Sequence, residues 1–142
     1  MKTWVAVVAI VLLAFVVRVI GLGSESAWID EAYSITLSRY PISQIIQGTA
    51  ADQHPPLYYL LLHYWMMFGT TVPFVRLLSA LLGTVNIIQV LTIGWKLKRV
   101  SLGIGSAILL AISPFHVWYS QEARQYMLLA VLTTGATIEL IN

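Results

Sequence analysis

Residues 55–75 read PPLYYLLLHYWMMFGTTVPFV, and the placement of this stretch decides the fold. It carries no Asp, Glu, Lys or Arg, and at first sight it could cross a membrane, which takes roughly 20 apolar residues. Yet Pro55-Pro56 opens it, and Gly69-Thr70-Thr71-Val72-Pro73 breaks it. Its apolar part, Leu57–Phe68, rises only about 18 Å, at ~1.5 Å per residue, against a hydrocarbon core of roughly 30 Å. The expectation is a helix lying in the interface. Tyr58, Tyr59, Tyr64 and Trp65 suit headgroup depth.

Outward from this stretch, the composition sets the class. The 142 residues are 58% hydrophobic and 10% charged, with a net charge of +2. A soluble domain carries about 25% charged residues. With a mean hydropathy of +0.81, the chain cannot cover a water-exposed surface. This excludes a soluble enzyme, a disordered tail and a nucleic-acid module, which needs a basic patch. There is no Cys, hence no disulfide framework, thiolate metal site or cysteine nucleophile. The expected class is an all-α integral membrane protein in the plasma or inner membrane.

Charge then counts the spans. Trp4–Val17 is an unbroken apolar run that reaches spanning length with Val19, Ile20 and Leu22. Arg18 stands where a signal-peptide cleavage site would lie, which favours a retained helix over a cleaved signal. Its long side chain is expected to snorkel to the headgroups. If Leu57–Phe68 does not span, the segment after it returns to the cytoplasm and delivers Lys96, Lys98 and Arg99 there, as the positive-inside rule asks. Residues 1–142 then form one transmembrane module, with spans near 4–22, 76–95, 102–117 and 124–142. An outer loop covers 23–75. Five of the six acids, Glu25, Asp30, Glu31, Asp52 and Glu122, fall on the outer face. Gly103, Gly105 and Ser106 should let the third span pack closely.

Three polar clusters share that outer face. Trp28-Ile29-Asp30-Glu31-Ala32-Tyr33-Ser34 opens a short amphipathic helix, with Ser24 or Ser26 as its cap. Ile29, Tyr33, Leu37 and Tyr40 recur at helical spacing and face lipid or protein. Pro41 ends it, and a second weak helix covers Ile42–Thr49. Asp52-Gln53-His54 precedes the proline pair. Asp52, His54 and Glu122 are candidate ligands for a divalent metal ion, although Asp52 and His54 alone are too few for a site. The third cluster, Ser113–Tyr126, brings Glu122 and Arg124. Each cluster also has a plainer reading, as helix-start acids, a polar loop or a surface ion pair. Convergence of all three at one water–lipid boundary points to a site.

The motifs WIDEAYS at 28–34, HPPLYY at 54–59, RLLSALLG at 76–83 and SPFHVWYSQEARQY at 113–126 follow one another in order. In this the chain resembles the N-terminal part of the GT-C membrane glycosyltransferases. The nearest groups are those similar to dolichyl-phosphate-mannose–protein mannosyltransferases, with lipid A aminoarabinose transferases as cousins. The resemblance implies a polyprenyl-phosphate sugar donor, catalysis on the extracytoplasmic face, an essential Asp in the first outer loop and two juxtamembrane helices. Asp30 matches that acid, His54-Pro55-Pro56 the start of the second juxtamembrane helix, and Glu122 the acid of the second outer loop. Such proteins run to several hundred residues with eight or more spans. The chain is therefore expected to be an N-terminal fragment that needs the C-terminal part or another membrane subunit for turnover.

Sugar transfer needs a base on the acceptor hydroxyl, stabilisation of the leaving phosphate, and a groove for the lipid. Asp30 is the candidate catalytic base. Arg124, Arg76 and His54 are candidates for the phosphate. Glu31 is expected to orient the Asp30 loop, and Glu122 to orient Arg124 or a metal. Direct attack inverts the anomeric centre. A non-catalytic membrane subunit or scaffold is the alternative. A channel or transporter is disfavoured because it would place charged or polar residues mid-span, and the middles of spans 2 and 3 are clean apart from Asn86 and Gln89.

Overall fold

The computed structural model describes residues 2–141. Among them are eight helices and no strand: α1 (Lys2–Val19), α2 (Ile29–Leu37), α3 (Ile42–Ala51), α4 (Leu57–Trp65), α5 (Val72–Lys96), α6 (Val100–Ile112), α7 (Pro114–Ser120) and α8 (Tyr126–Leu140). The all-helical expectation is met. The stretch that decided the reading splits as its residues demand. Nine residues form α4, the Gly-Thr-Thr segment breaks the helix, and Pro73 restarts it within the first turn of α5, where its missing N–H costs nothing.

Among the described residues α5 alone is long and apolar enough to cross a membrane, and α6 with α7 makes a second such unit if counted through their 64° bend. Apolar α1 and α8 are shorter. The bend divides the expected third span over 102–117 into two helices. Pro114 disfavours helical geometry at the preceding residue, and Ser113 is extended, at φ −61° and ψ 119°. The helix therefore ends at Ile112 and starts again in a new direction.

Four elements form a bundle with a clear sense of direction. Ser79 meets the Arg124 carbonyl, Asn86 that of Ala130, Gln89 that of Val131, and Lys96 those of Ile138 and Ile141. These contacts advance together, so α5 and α8 run the same way. Lys96 thereby closes the last carbonyls of α8, where a cation also favours the helix dipole. Trp4 stacks near Trp95 at one end while Arg18 lies against Gly83 further along, so α1 runs opposite to α5. Ile10, Ala14, Ile87, Leu91, Ala107 and Ala111 fill the space between α1, α5 and α6. Gly94 and Gly103 touch backbone to backbone: a Cβ added at Gly103 would come within 2.7 Å of the Gly94 Cα. Gly105 has open space around its Cβ position and Ser106 is exposed, so Gly103 alone does the packing expected of all three.

Helices α2, α3 and α4 gather at the pole where α5 and α8 begin. Leu37, Ile45, Tyr58, Tyr59, Leu62, Met66, Val75, Ala123 and Leu128 make their shared core. Tyr58 and Tyr59 are therefore buried, while Tyr64 is exposed. Tyr58 is held by the Ser79 hydroxyl at 3.0 Å, and Trp65 donates to the Phe74 carbonyl at 2.8 Å while stacking on its ring. On α2, Leu37 turns inward while Ile29 and Tyr33 are exposed, as is Tyr40 beyond the helix end. The outer faces of α1, α6 and α8 present Val5, Val8, Leu12, Val16, Leu102, Leu109, Leu129 and Leu132. An apolar surface of this extent marks contact with a membrane or a protein.

Candidate functional site

Glu31 organises the pole. Its side chain is fully buried. One carboxylate oxygen accepts from Arg76 Nε at 2.9 Å and from the Ala123 backbone N–H at 2.9 Å. The other accepts from Arg76 Nη2 at 2.7 Å and from the Trp28 N–H at 3.4 Å. Glu31 is the third residue of α2, so the last of these bonds closes the N-terminus of its own helix. Neither Ser24 nor Ser26 caps it: the residue at the cap position is Trp28, and the Ser24 hydroxyl bonds the Gly21 carbonyl. One carboxylate thus ties α2, α5 and the turn before α8 together. Burial alone would raise the Glu31 carboxyl. The hydrogen bonds from Arg76 and Ala123 and the Arg76 charge outweigh it and hold the group below its ordinary value.

Arg76 uses the rest of its fork on the loop after α1. It donates to the carbonyls of Leu22 at 2.8 Å, Glu25 at 3.0 Å and Ser26 at 3.3 Å. With the two bonds to Glu31, these account for all five guanidinium donors. Arg76 was an expected phosphate ligand; its donors are spent inside the protein, and the geometry makes it a strut.

Arg124 is different. Its Nη1 donates to the Asp30 carbonyl at 3.3 Å and the Ser34 hydroxyl at 3.2 Å, and its buried Nε has no partner. The Asp30 side chain is exposed, one residue from the anchored Glu31. The Tyr59 hydroxyl is buried without a hydrogen-bond partner. Burial raises it, against the opposing charge of Arg124. The His54 ring meets Tyr59 edge-on at 6.4 Å, and its Nδ1 lies 2.7 Å from Asp52 Oδ2, close but not aligned as a hydrogen bond. The Asp30 backbone, Arg124, Ser34, Tyr59 and His54 therefore belong to one neighbourhood. Among the described residues no group of three or more His, Cys, Asp or Glu side chains could hold a metal ion. Asp52, His54 and Glu122, the expected metal candidates, form no such cluster.

Glu122 does not pair with Arg124. One of its oxygens accepts from the Trp118 indole N–H, and the other is buried and unpartnered. It faces a cavity of about 260 Å³ lined by Trp28, Trp118, Gln121, Glu31, Arg76 and the 21–26 loop. Burial, only partly offset by the Trp118 bond, raises the Glu122 carboxyl above its ordinary range, with the neighbouring Glu31 charge adding to the rise.

Below this pole lies a polar chain that sequence reasoning missed. Arg18 is fully buried, not snorkelling. It donates to the Ala14 and Ala111 carbonyls at 2.7 and 3.3 Å, to the Ser120 hydroxyl at 3.2 Å and to His116 Nδ1 at 2.8 Å. Because Arg only donates, His116 accepts at Nδ1, and its Nε2–H then donates to Asn86 Oδ1 at 3.1 Å. Asn86 passes on to Thr134 Oγ1 at 2.9 Å. Gly83 makes room, since an added Cβ there would meet Arg18 Nε at 3.0 Å and collide with Ser120. The signal available in the sequence was the coincidence of Arg18, Asn86 and His116 in otherwise apolar segments. Compared with family models, curated proteins and solved structures, the chain matches none.

Proposed function

We propose that this chain carries the acceptor-activating pole of a membrane glycosyltransferase, which moves a sugar from a polyprenyl-phosphate donor to a hydroxyl on a protein, lipid or glycan. The observation that carries the reading is Asp30: an exposed carboxylate on a helix locked by Glu31, whose backbone carbonyl accepts from Arg124, a guanidinium that keeps a buried, unpartnered Nε. In the proposed step Asp30 takes the proton of the acceptor hydroxyl. The oxygen attacks the anomeric carbon, the carbon–oxygen bond to the phosphate breaks, and polyprenyl phosphate leaves with inversion. Arg124 and His54 hold the leaving phosphate, and Arg76 drops from that set. In the proposed placement α1, α5, the bent α6–α7 pair and α8 cross the membrane. Helices α2–α4 lie in the outer interface, and Lys96–Arg99 lies inside.

Membranes carrying the protein should transfer labelled sugar from one of a panel of polyprenyl-phosphate sugars. Asp30→Asn should lower that transfer by about 10²–10⁴-fold, the usual contribution of a general base. Equal transfer by the variant, or no transfer from any such donor, would overturn the reading. Single cysteines placed at Lys98 and Asp52 test the placement. An impermeant thiol reagent should label position 52 and not 98 in intact cells, and the reverse result would invert the topology.

A further inference from the structure

The cavity beside Glu122 is built to accept, not to donate. Of its charged lining groups Glu25, Glu31, Glu122 and Arg76, Arg76 has no donor left. Both Glu31 oxygens are taken. What remains is the exposed carboxylate of Glu25 and one carboxylate oxygen of Glu122, whose residue is only 6% exposed and which has no partner. Trp28 and Trp118 line the same space with half or more of their surface free. A phosphate would meet net negative charge and no free cationic donor. A group carrying positive charge would find its missing counter-charge in Glu122 and two indole side chains available for cation–π contact. The volume, about 260 Å³, falls just under the roughly 300–1,000 Å³ of drug-sized sites, so the fit is to a small headgroup.

We propose that this cavity binds an organic ammonium group, with Glu122 as its counter-ion and Trp28 and Trp118 as its aromatic walls. The assignment does not depend on sugar transfer, since Asp30 and Arg124 are not part of the lining. Ammonium of this kind reaches the site from two sources, a free amine or the headgroup of a zwitterionic lipid.

The test is calorimetric titration of the protein in phosphatidylglycerol nanodiscs with choline, with empty discs as blank. Choline should bind, while its neutral isostere 3,3-dimethyl-1-butanol and inorganic phosphate should not. Glu122→Gln should weaken choline binding about tenfold or more, the scale of a charge-assisted contact. Trp28→Leu, at an exposed position that leaves the fold intact, should weaken it about two- to fivefold. Affinity should fall as pH drops through the raised Glu122 value. Glu31, Arg76 and Arg124 also bear on that group, and Glu25 shares the cavity. Repeating the titration in phosphatidylcholine discs separates the sources: a headgroup in the site suppresses choline binding, whereas a free-amine site is unaffected. Equal binding of choline and its neutral isostere, no choline binding, competition by phosphate, or unchanged binding by Trp28→Leu would overturn the proposal, even if Glu122→Gln failed to fold.

Discussion

Two buried arginines hold this molecule together by opposite means. Arg76 meets a carboxylate: Glu31 binds its fork at two points, and three carbonyls take what remains. Arg18 meets none. Its partners are two carbonyls, a hydroxyl and the Nδ1 of a neutral histidine. The first arrangement cancels charge and fixes geometry at the pole where the exposed carboxylate of Asp30 sits. The second spreads one positive charge into a one-way chain of donors running from α1 through α7 to α5 and α8. A buried charge costs several kcal/mol unless its partners compensate it. The pair at Glu31 is therefore the more fragile to loss of one member, because removal leaves a full charge behind.

Breaking that pair should produce the largest effect. Glu31→Ala should lower stability by about 3–5 kcal/mol in thermal unfolding of the detergent-solubilised protein, while the double change Glu31→Leu with Arg76→Met should recover most of the loss. If the double variant is no better than the single one, Glu31 acts through its bonds to Ala123 and Trp28 more than through charge. Arg18→Met should cost less, about 1–3 kcal/mol, since it strands neutral acceptors only. A loss exceeding that of Glu31→Ala would reverse the comparison.

Acid sharpens it further. The Glu31 carboxyl is held below the ordinary carboxylate value of about 4.5. Its contribution is present above about pH 4.5 and is lost as pH falls through the depressed folded value. Unfolding measured from pH 7 downward should show a steepening loss below pH 4.5 that Glu31→Gln flattens. The smallest stability effect belongs to Asp30→Asn. At an exposed position it should stay within about 0.5 kcal/mol of the parent while transfer falls, as proposed above. A large stability loss in that variant would make Asp30 a structural residue like its neighbour.

Asp30 and Glu31 show how far sequence reading reaches. That two adjacent helical acids face different ways follows from the ~100° step between them, and this was legible. Which one turns inward was not, because it depends on where α5 presents Arg76, forty-five residues away. The same holds for Arg124 and Arg76. Both stood as phosphate candidates, and only the packed pole separates a saturated guanidinium from one with a donor to spare. Glu122 and Arg124 sit two residues apart, yet the carboxylate turns to the Trp118 indole and the guanidinium to Asp30 and Ser34.

Local chemistry determined what needs no distant partner. The apolar composition, the shortness of α4, the Pro73 helix start and the basic turn at Lys96–Arg99 all follow from residues within a few positions of one another. Tertiary structure alone decided the rest: His116 meets Arg18, and Tyr58 and Tyr59 turn into the core. Glu31 takes all its long-range bonds while Glu122 keeps one oxygen open. The physical reason is that backbone preference and hydrophobicity act locally, whereas the satisfaction of a buried polar atom depends on which helix arrives beside it.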